Sequence, residues 1–373
     1  MTRLLSPKSE RLILVATELF APGGIQRVGR AVIDALGAGS TPLAVGSLCD
    51  AAVPDGYRVP AATEMRLAAG SRMKLGAWAL ALAKRRCGDA QVLLMHAHLA
   101  PIVLPLLARG ARVVAFLYGV EVWRPLTAIE RFVFRRAVLV AISEYTAQRF
   151  RESNPWIGDR TIEVCPLGVA PDVAPPGPGD RLAVEGDFAL IVSRIAREDR
   201  YKGHERLIRA WAGVSRRVPG ARLVVVGDGD DRARLEALTR ELELDGAVHF
   251  AGAVSERALA AWYAACAFFV MPSRDEGFGL VFLEAMRAGK ACIGAPGAAA
   301  EVIVDGVTGA IVASTEEQAL VDALVRLFED PARREQLGRA GQRRFEQLFT
   351  GAHFANRVRR LVNGPRATEG EAA

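Results

Sequence analysis

Cysteine is scarce in this sequence, and long apolar runs are missing from it. The 373 residues include five widely scattered cysteines, at positions 49, 87, 165, 266 and 292. No two of them have the spacing of a zinc knuckle or a redox pair, and their odd number is typical of reduced thiols. No window approaches the roughly 18 consecutive apolar residues of a membrane span. The opening ten residues lack the apolar core of a signal peptide, so we expect a cytoplasmic protein.

Charge of one sign is not strongly in excess either. Charged residues make up 24% and apolar residues 51% of the chain, as in ordinary globular proteins with full-sized cores. The net charge of +6 favours an anionic partner: a nucleotide, a lipid surface or a nucleic acid. The basic residues show no aromatic interleaving and form no recognised nucleic-acid-binding module, so we expect no nucleic-acid partner.

Short apolar runs alternate with segments of helical spacing. Strands are predicted at residues 11–17, 92–95, 112–117, 138–142, 188–192, 222–227, 248–250, 267–271 and 291–293. Helices are predicted at residues 25–36, 67–84, 204–218, 231–242 and 280–288, and through the charged region 315–362. Such alternation indicates right-handed crossovers and largely parallel sheets, which is an α/β fold class.

One segment interrupts this alternation, the sequence PDVAPPGPGD at residues 171–180. So much Pro and Gly cannot continue a helix or a central strand, so we predict an interdomain linker at 171–181. The domains would span 1–170 and 182–349, followed by a C-terminal helix and a disordered tail at 350–373. A ligand site is expected in the cleft between the two sheets, at the carboxyl ends of the strands.

The most informative motif lies between residues 273 and 294. Glu276 falls in the loop after an apolar strand, and Glu284, after seven intervening residues, falls inside the following helix. Gly277 and Gly279 leave the backbone bare where that helix begins, so its N–H groups and dipole would suit a phosphate. One carboxylate could then accept hydrogen bonds from sugar hydroxyls and the other from a ribose diol. The alternative is a surface acid beside a Glu near the helix start.

Two cations share the loop that follows the first strand of the second domain. Arg194 comes directly after the strand, and Lys202 lies just before a helix. Fixed cations at these places are well placed to stabilise a leaving diphosphate. The intervening charges at 197–200 are interpreted as a solvated cluster, and a solvated loop is also the alternative for Arg194 and Lys202.

An acidic pair, Asp228 and Asp230, ends another strand in the sequence GDGDD. The pair superficially resembles a ligand set for Mg²⁺ and a diphosphate. An Asp between strand and helix is, however, a preferred helix N-cap. We therefore expect no metal ligands here, and no metal or other cofactor.

The first half of the chain carries less specific signals. Gly23 and Gly24 lie in a loop that opens a helix, without the G-x-G-x-x-G spacing of a dinucleotide fingerprint. An ordinary helix start explains them equally well. His96 and His98 follow a strand, but no acidic or Cys partner for a metal site is apparent. His96 is interpreted as a core residue at the strand end.

These motifs resemble those of family 4 glycosyltransferases, from about residue 11 to residue 349, and most specifically in the second half. The resemblance implies the GT-B architecture, two Rossmann-like domains whose parallel sheets face each other across a cleft. It implies that Glu276 contacts the transferred sugar and Glu284 the nucleotide ribose. It also implies that Arg194 and Lys202 stabilise the leaving diphosphate. The segment Phe278, Gly279 and Leu280 matches the backbone that approaches the diphosphate and the sugar.

The resemblance also implies roles for residues outside these two loops. Gly23 and Gly24 would lie beside the sugar and diphosphate, His98 near the acceptor, and Glu301 near the nucleotide. The segment LYGVEVW at 117–123 departs from the family pattern His-Gly-x-Asp/Glu, because Tyr118 replaces the His that touches the transferred sugar. A phenol can donate a hydrogen bond but cannot act as a base at neutral pH. Glu121 still matches the acidic position.

The function implied is retaining, metal-independent transfer of a sugar from a UDP- or GDP-sugar. The acceptor would be a hydroxyl of a glycan or a polyprenyl-linked lipid, in bacterial cell-surface polysaccharide synthesis. The first domain would hold the acceptor and the second the nucleotide sugar. Two alternatives stay open: a nucleotide-sugar epimerase or hydrolase of the same architecture, and a non-catalytic nucleotide-sugar-binding protein, for which Tyr118 leaves room.

A basic, apolar-rich stretch in the first half suggests membrane contact. Its cations are Arg66, Arg72, Lys74, Lys84, Arg85 and Arg86, and its apolar residues are Leu67, Met73, Leu75, Trp78, Leu80 and Leu82. A helix here could turn its apolar side to a membrane and its cations to acidic headgroups. We expect peripheral association with the inner face of the plasma membrane. The alternative is a helix packed on the sheet, with a solvated basic face.

Overall fold

The computed structural model describes residues 11–21, 23–85, 88–170, 184–313 and 316–363. The predicted linker at 171–181 and the predicted disordered tail after residue 363 lie outside the described residues. The chain divides into two compact units. The first unit comprises Met1–Leu167 and Gly351–Ala373, and the second unit comprises Gly168–Thr350. The last helix, expected as a separate C-terminal segment, therefore groups with the first unit.

The first unit is built on a seven-stranded sheet. Its strands are β1 (Arg11–Ala16), β2 (Leu43–Ser47), β3 (Thr63–Leu67), β4 (Ala90–Leu94), β5 (Arg112–Leu117), β6 (Val138–Ala141) and β7 (Ile162–Val164). Its helices are α1 (Gly24–Gly37), α2 (Arg72–Ala83), α3 (Ala100–Ala108), α4 (Ala128–Phe134), α5 (Glu144–Ser153) and, last in chain order, α13 (Gly351–Asn363).

The second unit repeats this plan with a six-stranded sheet. Its strands are β8 (Phe188–Val192), β9 (Arg222–Val226), β10 (Val248–Gly252), β11 (Phe268–Met271), β12 (Cys292–Gly294) and β13 (Gly309–Ile311). Its helices are α6 (His204–Arg217), α7 (Arg232–Glu241), α8 (Glu256–Ala265), α9 (Leu280–Arg287), α10 (Ala299–Val302), α11 (Glu317–Glu329) and α12 (Pro331–Leu348).

The strand order reverses once in each sheet. The order is β3-β2-β1-β4-β5-β6-β7 in the first unit and β10-β9-β8-β11-β12-β13 in the second. All pairings between the named strands are parallel. The chain therefore winds outward in both directions from β1 and from β8. In open α/β sheets the ligand binds outside the carboxyl ends of the strands at such a reversal, which we call the switch point. It lies between β8 and β11 in the second unit.

The inner strands of the first sheet, β1, β2, β4, β5 and β6, are buried on both faces and are therefore mainly apolar. Ile13 and Val15 of β1 belong to a core cluster that includes residues of α2, α3, α4 and α5. Leu12 and Leu14 are equally buried, and strand alternation directs them to the opposite face. The helix α13 packs on α1 in this unit.

One predicted helix begins in the wrong place. Residues 67–84 were expected to be helical, but Leu67 ends β3 and the helix α2 starts at Arg72. Ser71 caps it, since its Oγ accepts a hydrogen bond from the Lys74 N–H over 3.2 Å. The strand β3 escaped prediction because its sequence, TEMRL, lies at the sheet edge, where it is only partly buried and carries polar residues.

The membrane-facing apolar side expected for this helix is largely turned inward. Leu75 and Leu82 are buried in the core cluster, and Trp78 packs against it. Leu67 lies in β3 and not in the helix. The described part of α2 is therefore mainly a helix packed on its sheet, although Met73 (85%) and Leu80 (52%) are exposed. Across the described ranges, no helix combines the length and apolarity needed to span a membrane.

The packing of α12 against the end of α9 predicts a stability difference between two helical glycines. A Cβ at Gly338 of α12 would lie 2.0 Å from the carbonyl oxygen of Gly289, whereas the nearest atom to a Cβ at Gly76 of α2 is 3.9 Å away. Gly338→Ala should lower the free energy of unfolding by about 2 kcal/mol or more. The matched control Gly76→Ala should raise it by about 0.5–1 kcal/mol.

The measurement is urea unfolding of each variant, monitored by circular dichroism, and the compared quantity is the urea midpoint. Equal midpoints for Gly338→Ala and the wild type would contradict the close packing of α12 on the Gly289 carbonyl.

Candidate functional site

Two loops meet at the switch point of the second unit. Residues 193–203 follow β8, and residues 272–279 follow β11. The Arg274 N–H donates to the Tyr201 carbonyl over 2.9 Å. The Arg206 guanidinium donates to the Pro272 carbonyl over 3.1 Å. The two loops are thus joined through the backbone before any ligand is considered.

Gly203 lets the two backbones approach each other. Its φ of +89° lies in the left-handed region, and a Cβ there would be only 2.6 Å from the Pro272 carbonyl oxygen. A larger residue would be strained and would also push the loops apart. Helix α6 begins at the next residue, so this contact fixes the start of α6 beside the end of β11.

Lys202 and Glu276, predicted separately from the two loops, form an ion pair. The Lys202 Nζ donates to a Glu276 carboxylate oxygen over 2.6 Å, and both side chains are mostly buried. Burial alone would lower the pKa of Lys202, but the charge and hydrogen bond of Glu276, together with Tyr201 and Asp199, outweigh burial and raise that pKa. Lys202 is therefore positively charged. A bound diphosphate and sugar could share these two groups, the ammonium with phosphate oxygens and the carboxylate with hydroxyls.

Arg194 lies in the same loop and has two acidic neighbours. Its guanidinium is 2.9 Å from Asp199 and 3.8 Å from Glu198. The residues 197–200 were expected to be a solvated cluster, which is wrong for Asp199, because the 3₁₀ turn Arg197–Lys202 directs its side chain into the protein. Arg200 also has a fixed partner, since it donates to the carboxylate of Asp231.

Glu284 is almost fully buried in the second turn of α9, with 2% of its surface exposed. The hydroxyl of Tyr263, on α8, donates to its carboxylate over 2.9 Å. Tyr263 is itself fully buried and packs against Phe269 of β11. Tyr263 could not be identified from sequence, because nothing in the spacing of two helices separated by β11 reveals which side chains meet.

The start of α9 has the geometry that the glycine pattern predicted. Gly279 has a φ of +89° and occupies the N-cap position, and it has no side chain to cap the helix. A Cβ there would lie 2.5 Å from the ring of Phe282. Phe278 is buried against Phe349 of the same unit, and Leu280 is the first residue of the helix. The positive end of the α9 dipole thus lies directly after the loop that carries Glu276.

The acidic pair after β9 holds the neighbouring loop together. A carboxylate oxygen of Asp230 accepts from the Arg197 N–H over 2.9 Å, and one of Asp228 accepts from the Gly229 N–H over 2.8 Å. The expected N-cap role is wrong for both, since α7 starts at Arg232 and its N-cap residue is Asp231. Within the described part of the chain, no group of three or more His, Cys, Asp or Glu side chains is arranged to hold a metal ion.

His204 is a buried residue of this site that sequence analysis did not single out. It is the first residue of α6, and its Nε2 lies 3.0 Å from the Ser193 hydroxyl at the end of β8. Ser193 in turn lies within hydrogen-bond distance of the Arg194 carbonyl. Burial, helped by the charge of Lys202, lowers the pKa of His204 to about 4. The neutral imidazole therefore joins the two ends of the loop that carries both cations.

In the first unit, the glycine loop is held by a carboxylate from the next strand end. Gly23 precedes α1 and Gly24 is its first residue. Asp50, buried after β2, accepts hydrogen bonds from the Leu19 N–H over 2.7 Å and from the Ser47 hydroxyl. Asp50 was not identified from sequence, since one Asp in a loop carries no signal of what it faces.

Tyr118 and Glu121 lie at the end of β5 in this unit. Tyr118 is buried, and its hydroxyl is 3.8 Å from the Met95 sulfur. One Glu121 oxygen accepts from the N–H groups of Tyr118 and Gly119, over 2.6 and 3.2 Å. Burial raises the pKa of Glu121 despite these hydrogen bonds. Both residues stabilise the turn in this structure, and their contact with a donor stays a prediction.

His98 is exposed and forms part of a polar cluster in the first unit. Its ring stacks on that of His96 at 4.9 Å, and its Nδ1 is 3.5 Å from Glu130. An acidic neighbour, expected to be missing, is therefore present. Glu130 is however held by Arg124 through bonds of 2.7 and 2.9 Å. Burial would raise the pKa of Glu130, but Arg124 and the Thr127 cap lower it to about 2.

Glu301 lies half-buried in α10 of the second unit. Its carbonyl oxygen accepts from Arg344 over 2.9 Å, which anchors this short helix to α12. The second unit therefore contains Arg194, Lys202, Glu276, Glu284, Phe278, Gly279, Leu280 and Glu301. The first unit contains the other predicted site residues: Gly23, Gly24, His98, Tyr118 and Glu121.

Comparison with known proteins identifies similar sequences. Residues 182–344 match the family model described as "Glycosyl transferases group 1". Over 264 residues, 65% of this chain and 69% of the relative, the chain is 32% identical to the GDP-mannose-dependent alpha-(1-6)-phosphatidylinositol monomannoside mannosyltransferase of Mycolicibacterium smegmatis. It is 30% identical to the GDP-mannose-dependent monoacylated alpha-(1-6)-phosphatidylinositol monomannoside mannosyltransferase of Corynebacterium glutamicum, over 68% of this chain and 71% of that protein.

Two solved structures are similar across nearly the whole chain. A sucrose-phosphate synthase from Thermosynechococcus elongatus has a TM-score of 0.76 at 22% identity, covering 94% of this chain and 98% of that one. The Anabaena protein HepE in complex with UDP-glucose has a TM-score of 0.76 at 20% identity, covering 94% and 99%. At this identity the similarity shows the fold, and the predicted GT-B architecture with two parallel-sheet α/β units is confirmed.

The neutral His204 predicts a pH dependence of stability. The unfolded chain binds a proton at the ordinary imidazole pKa, whereas the folded chain does so only near pH 4. Between these values the unfolded state holds more protons, so stability falls as pH falls. From this residue the loss should reach about 3 kcal/mol between pH 7 and pH 4.

The measurement is urea unfolding of the wild type and His204→Gln from pH 7 to pH 4. The stability advantage of the wild type should shrink by that amount, while contributions from His96 and Glu130 cancel between the two proteins. A constant difference across this range would contradict the buried neutral imidazole.

Proposed function

Because this chain belongs to the glycosyl transferase group 1 family, and is a glycosyltransferase that uses a nucleotide-sugar donor, we propose that it transfers mannose from GDP-mannose with retention of configuration. The acceptor is proposed to be a hydroxyl of a lipid-linked glycan. The observation that carries this proposal is the pairing of Lys202 with Glu276 at the switch point, beside the uncapped start of α9.

The choice of donor rests on the relatives. The two mannosyltransferases with 30 and 32% identity are named as GDP-mannose-dependent, and their names specify phosphatidylinositol monomannosides as acceptors. This chain covers about 70% of the length of each of these two relatives. A UDP-sugar is the second donor to be tested, since HepE, which has the same fold, was solved with UDP-glucose.

Each group of the second unit has a role in this proposal. Lys202, Arg194 and the N-terminus of α9 bind the diphosphate and stabilise the charge that develops as it leaves. Glu276 accepts hydrogen bonds from the sugar hydroxyls, and Lys202 orients its carboxylate. Glu284, to which Tyr263 donates a hydrogen bond, accepts from the ribose diol. For the first unit, we propose that Gly23 and Gly24 lie beside the sugar and diphosphate and that His98 lies near the acceptor.

The transfer itself needs one bond exchange on one face of the sugar. The bond from the anomeric carbon to the diphosphate oxygen breaks, and a bond from that carbon to the acceptor oxygen forms on the same face. The acceptor proton passes to the departing diphosphate oxygen, so the products are the glycoside and GDP. The protein contributes positioning and charge stabilisation.

We propose that the reaction needs no divalent metal. Arg194 and Lys202 supply two positive charges where a metal would otherwise neutralise the diphosphate. Asp228 and Asp230, the acidic pair that resembled a ligand set, hold backbone N–H groups at their loop.

The test is product analysis with GDP-mannose, UDP-glucose and UDP-N-acetylglucosamine, with and without phosphatidylinositol monomannoside and with and without EDTA. We expect GDP release that requires the acceptor, an α-linked product by NMR, and unchanged turnover in EDTA. Sugar release or epimerisation without acceptor would instead identify a hydrolase or an epimerase, and donor binding without turnover a binding protein. An inverted product, or activity restored only by Mg²⁺ or Mn²⁺, would overturn the corresponding part of the proposal.

The two glutamates are predicted to do different work. Glu276→Gln should lower kcat by about 100-fold, because it removes the carboxylate that orients the sugar and partners Lys202. Glu284→Gln should chiefly weaken GDP binding, by about tenfold or more, through loss of a charged hydrogen bond to the ribose. Steady-state kinetics and calorimetric titration with GDP measure the two effects.

The matched control is Glu241→Gln, an exposed glutamate at the end of α7 in the same unit, which should alter neither quantity. Wild-type turnover in Glu276→Gln with every donor would remove Glu276 from the proposed site.

Peripheral binding to an anionic membrane is also proposed, on a narrower basis than the sequence suggested. On α2, the exposed Met73 and Leu80 accompany Arg72, Lys74, Lys84 and Arg85. On α4, Ile129 and Phe132 are also exposed, beside Arg131, Arg135 and Arg136. Both helices contact α3, and all three contribute to the same core cluster. Their outer surface thus combines exposed apolar side chains with cations, as interfacial binding requires.

The prediction is tested by co-sedimentation with vesicles. Binding should require anionic lipid and fall at high salt, because each cation contributes at most about 1 kcal/mol near the surface. Changing Lys84, Arg85 and Arg86 to Gln, or Met73 and Phe132 to Ser, should weaken it. Arg216, Arg240 and Arg343 are exposed in the second unit, and changing all three to Gln removes the same number of charges; this control variant should bind normally. Equal binding to neutral vesicles, or none to either kind, would favour a soluble acceptor.

A further inference from the structure

The loop that carries Arg194 also contains a buried carboxylate with no role in the proposed reaction. Asp199 lies in the 3₁₀ turn between the two cations and is 4% exposed. Its neighbour Glu198 is exposed. A carboxylate taken out of water is costly unless a positive or hydrogen-bonding partner compensates it. The partners of Asp199 therefore indicate why the turn buries it.

Arg194 is the positive partner of Asp199. Its Nη2 atom lies 2.9 Å from the Asp199 Oδ2, while the Arg194 side chain remains 67% exposed. That oxygen accepts no aligned hydrogen bond from the described residues, so the contact is an ion pair. The Asp199 N–H donates to the Ala196 carbonyl over 2.9 Å, within the turn. Asp199 is thus fixed by the turn and faces Arg194.

A long Arg side chain in an exposed loop has many rotamers, and binding a diphosphate would have to select one of them. An anchored carboxylate at the guanidinium selects a subset before the ligand arrives. Because Arg194 is two-thirds exposed, its remaining N–H donors are accessible to a ligand while one side contacts Asp199. The pairing therefore resembles that of Lys202 with Glu276, because a mostly buried carboxylate lies beside each cation.

We propose that Asp199 is a positioning residue that pre-orients Arg194 for the donor diphosphate. This inference rests on the proposed function, in which Arg194 contacts the diphosphate. It assigns no contact between Asp199 and the substrate. Asp199 acts through Arg194, and its effect should disappear when Arg194 is absent.

The chain offers a matched control, because two adjacent acids face the same guanidinium. Asp199→Asn keeps the size of the side chain and removes the charge of the buried partner. Glu198→Gln removes the charge of the exposed partner, which is 3.8 Å from Arg194. Asp199→Asn should lower kcat/KM for GDP-mannose about tenfold and weaken GDP binding, whereas Glu198→Gln should change neither by more than about twofold.

A double-mutant cycle with Arg194→Ala separates positioning from a structural role. In the Arg194→Ala background, Asp199→Asn should cost less than about twofold in kcat/KM, because there is no guanidinium left to orient. An equal tenfold loss in both backgrounds, or no loss in either, would overturn the proposal. If Arg194→Ala itself leaves donor turnover and GDP binding unchanged, the proposed role of Arg194 fails instead, and the two failures are distinguished.

A second variant covers the case in which Asp199→Asn does not fold, which thermal unfolding would reveal. Asp199→Glu keeps the negative charge and moves the carboxylate by one methylene group, which disturbs its alignment with Arg194. It should give a smaller loss of kcat/KM, about threefold, again only when Arg194 is present. A loss that persists in Arg194→Ala would contradict the proposed action of Asp199 through Arg194.

Discussion

The ion pair between Lys202 and Glu276 connects the two strands that flank the switch point of the second sheet. Lys202 ends the loop after β8, and Glu276 lies in the loop after β11. Their pairing requires the close backbone approach at Gly203, which in turn fixes where α6 begins. With both groups charged and partly buried, neither can be removed without leaving the other poorly compensated. The positions of Arg194, the start of α9 and Glu284 all follow from this arrangement of two loops.

Carboxylates also hold loops in place at several other strand ends. Asp50 holds the glycine loop after β1, Glu121 the turn after β5, and Asp230 the loop after β8, each by accepting backbone N–H groups. Ordered loops at the carboxyl edge of a sheet expose unpaired N–H groups, and an ionised acceptor satisfies these more strongly than a neutral one. Many acidic residues near such a site therefore stabilise the loops, and only a few of them remain for a ligand.

Local pattern predicted the fold well and the site in part. Continuous apolar runs identified β1, β5, β8 and β9, because a strand that is buried on both faces has apolar residues at successive positions. The edge strand β3 was missed because it is only partly buried and contains polar residues. Glu276 and Lys202 could be proposed as site residues because each lies in a loop between an apolar strand and a helix. Asp199 was misread as solvated, since burial within a short 3₁₀ turn depends on what packs over it. The contact of Tyr263 with Glu284 depends on the packing of α8 against α9, which spacing along one chain does not encode.

The grouping of α13 with the first unit makes that unit discontinuous in sequence. The chain leaves it after Leu167 and returns at Gly351, so the second unit is topologically an insertion within the first. A chimera that exchanges nucleotide-binding halves between two relatives therefore needs two junctions rather than one. A gene fragment that stops at residue 167 would lack α13, whose Arg359 donates to the carbonyl of Ala35 in α1. A chimera is thus expected to fold well only if residues 351–363 come from the same parent as residues 11–167.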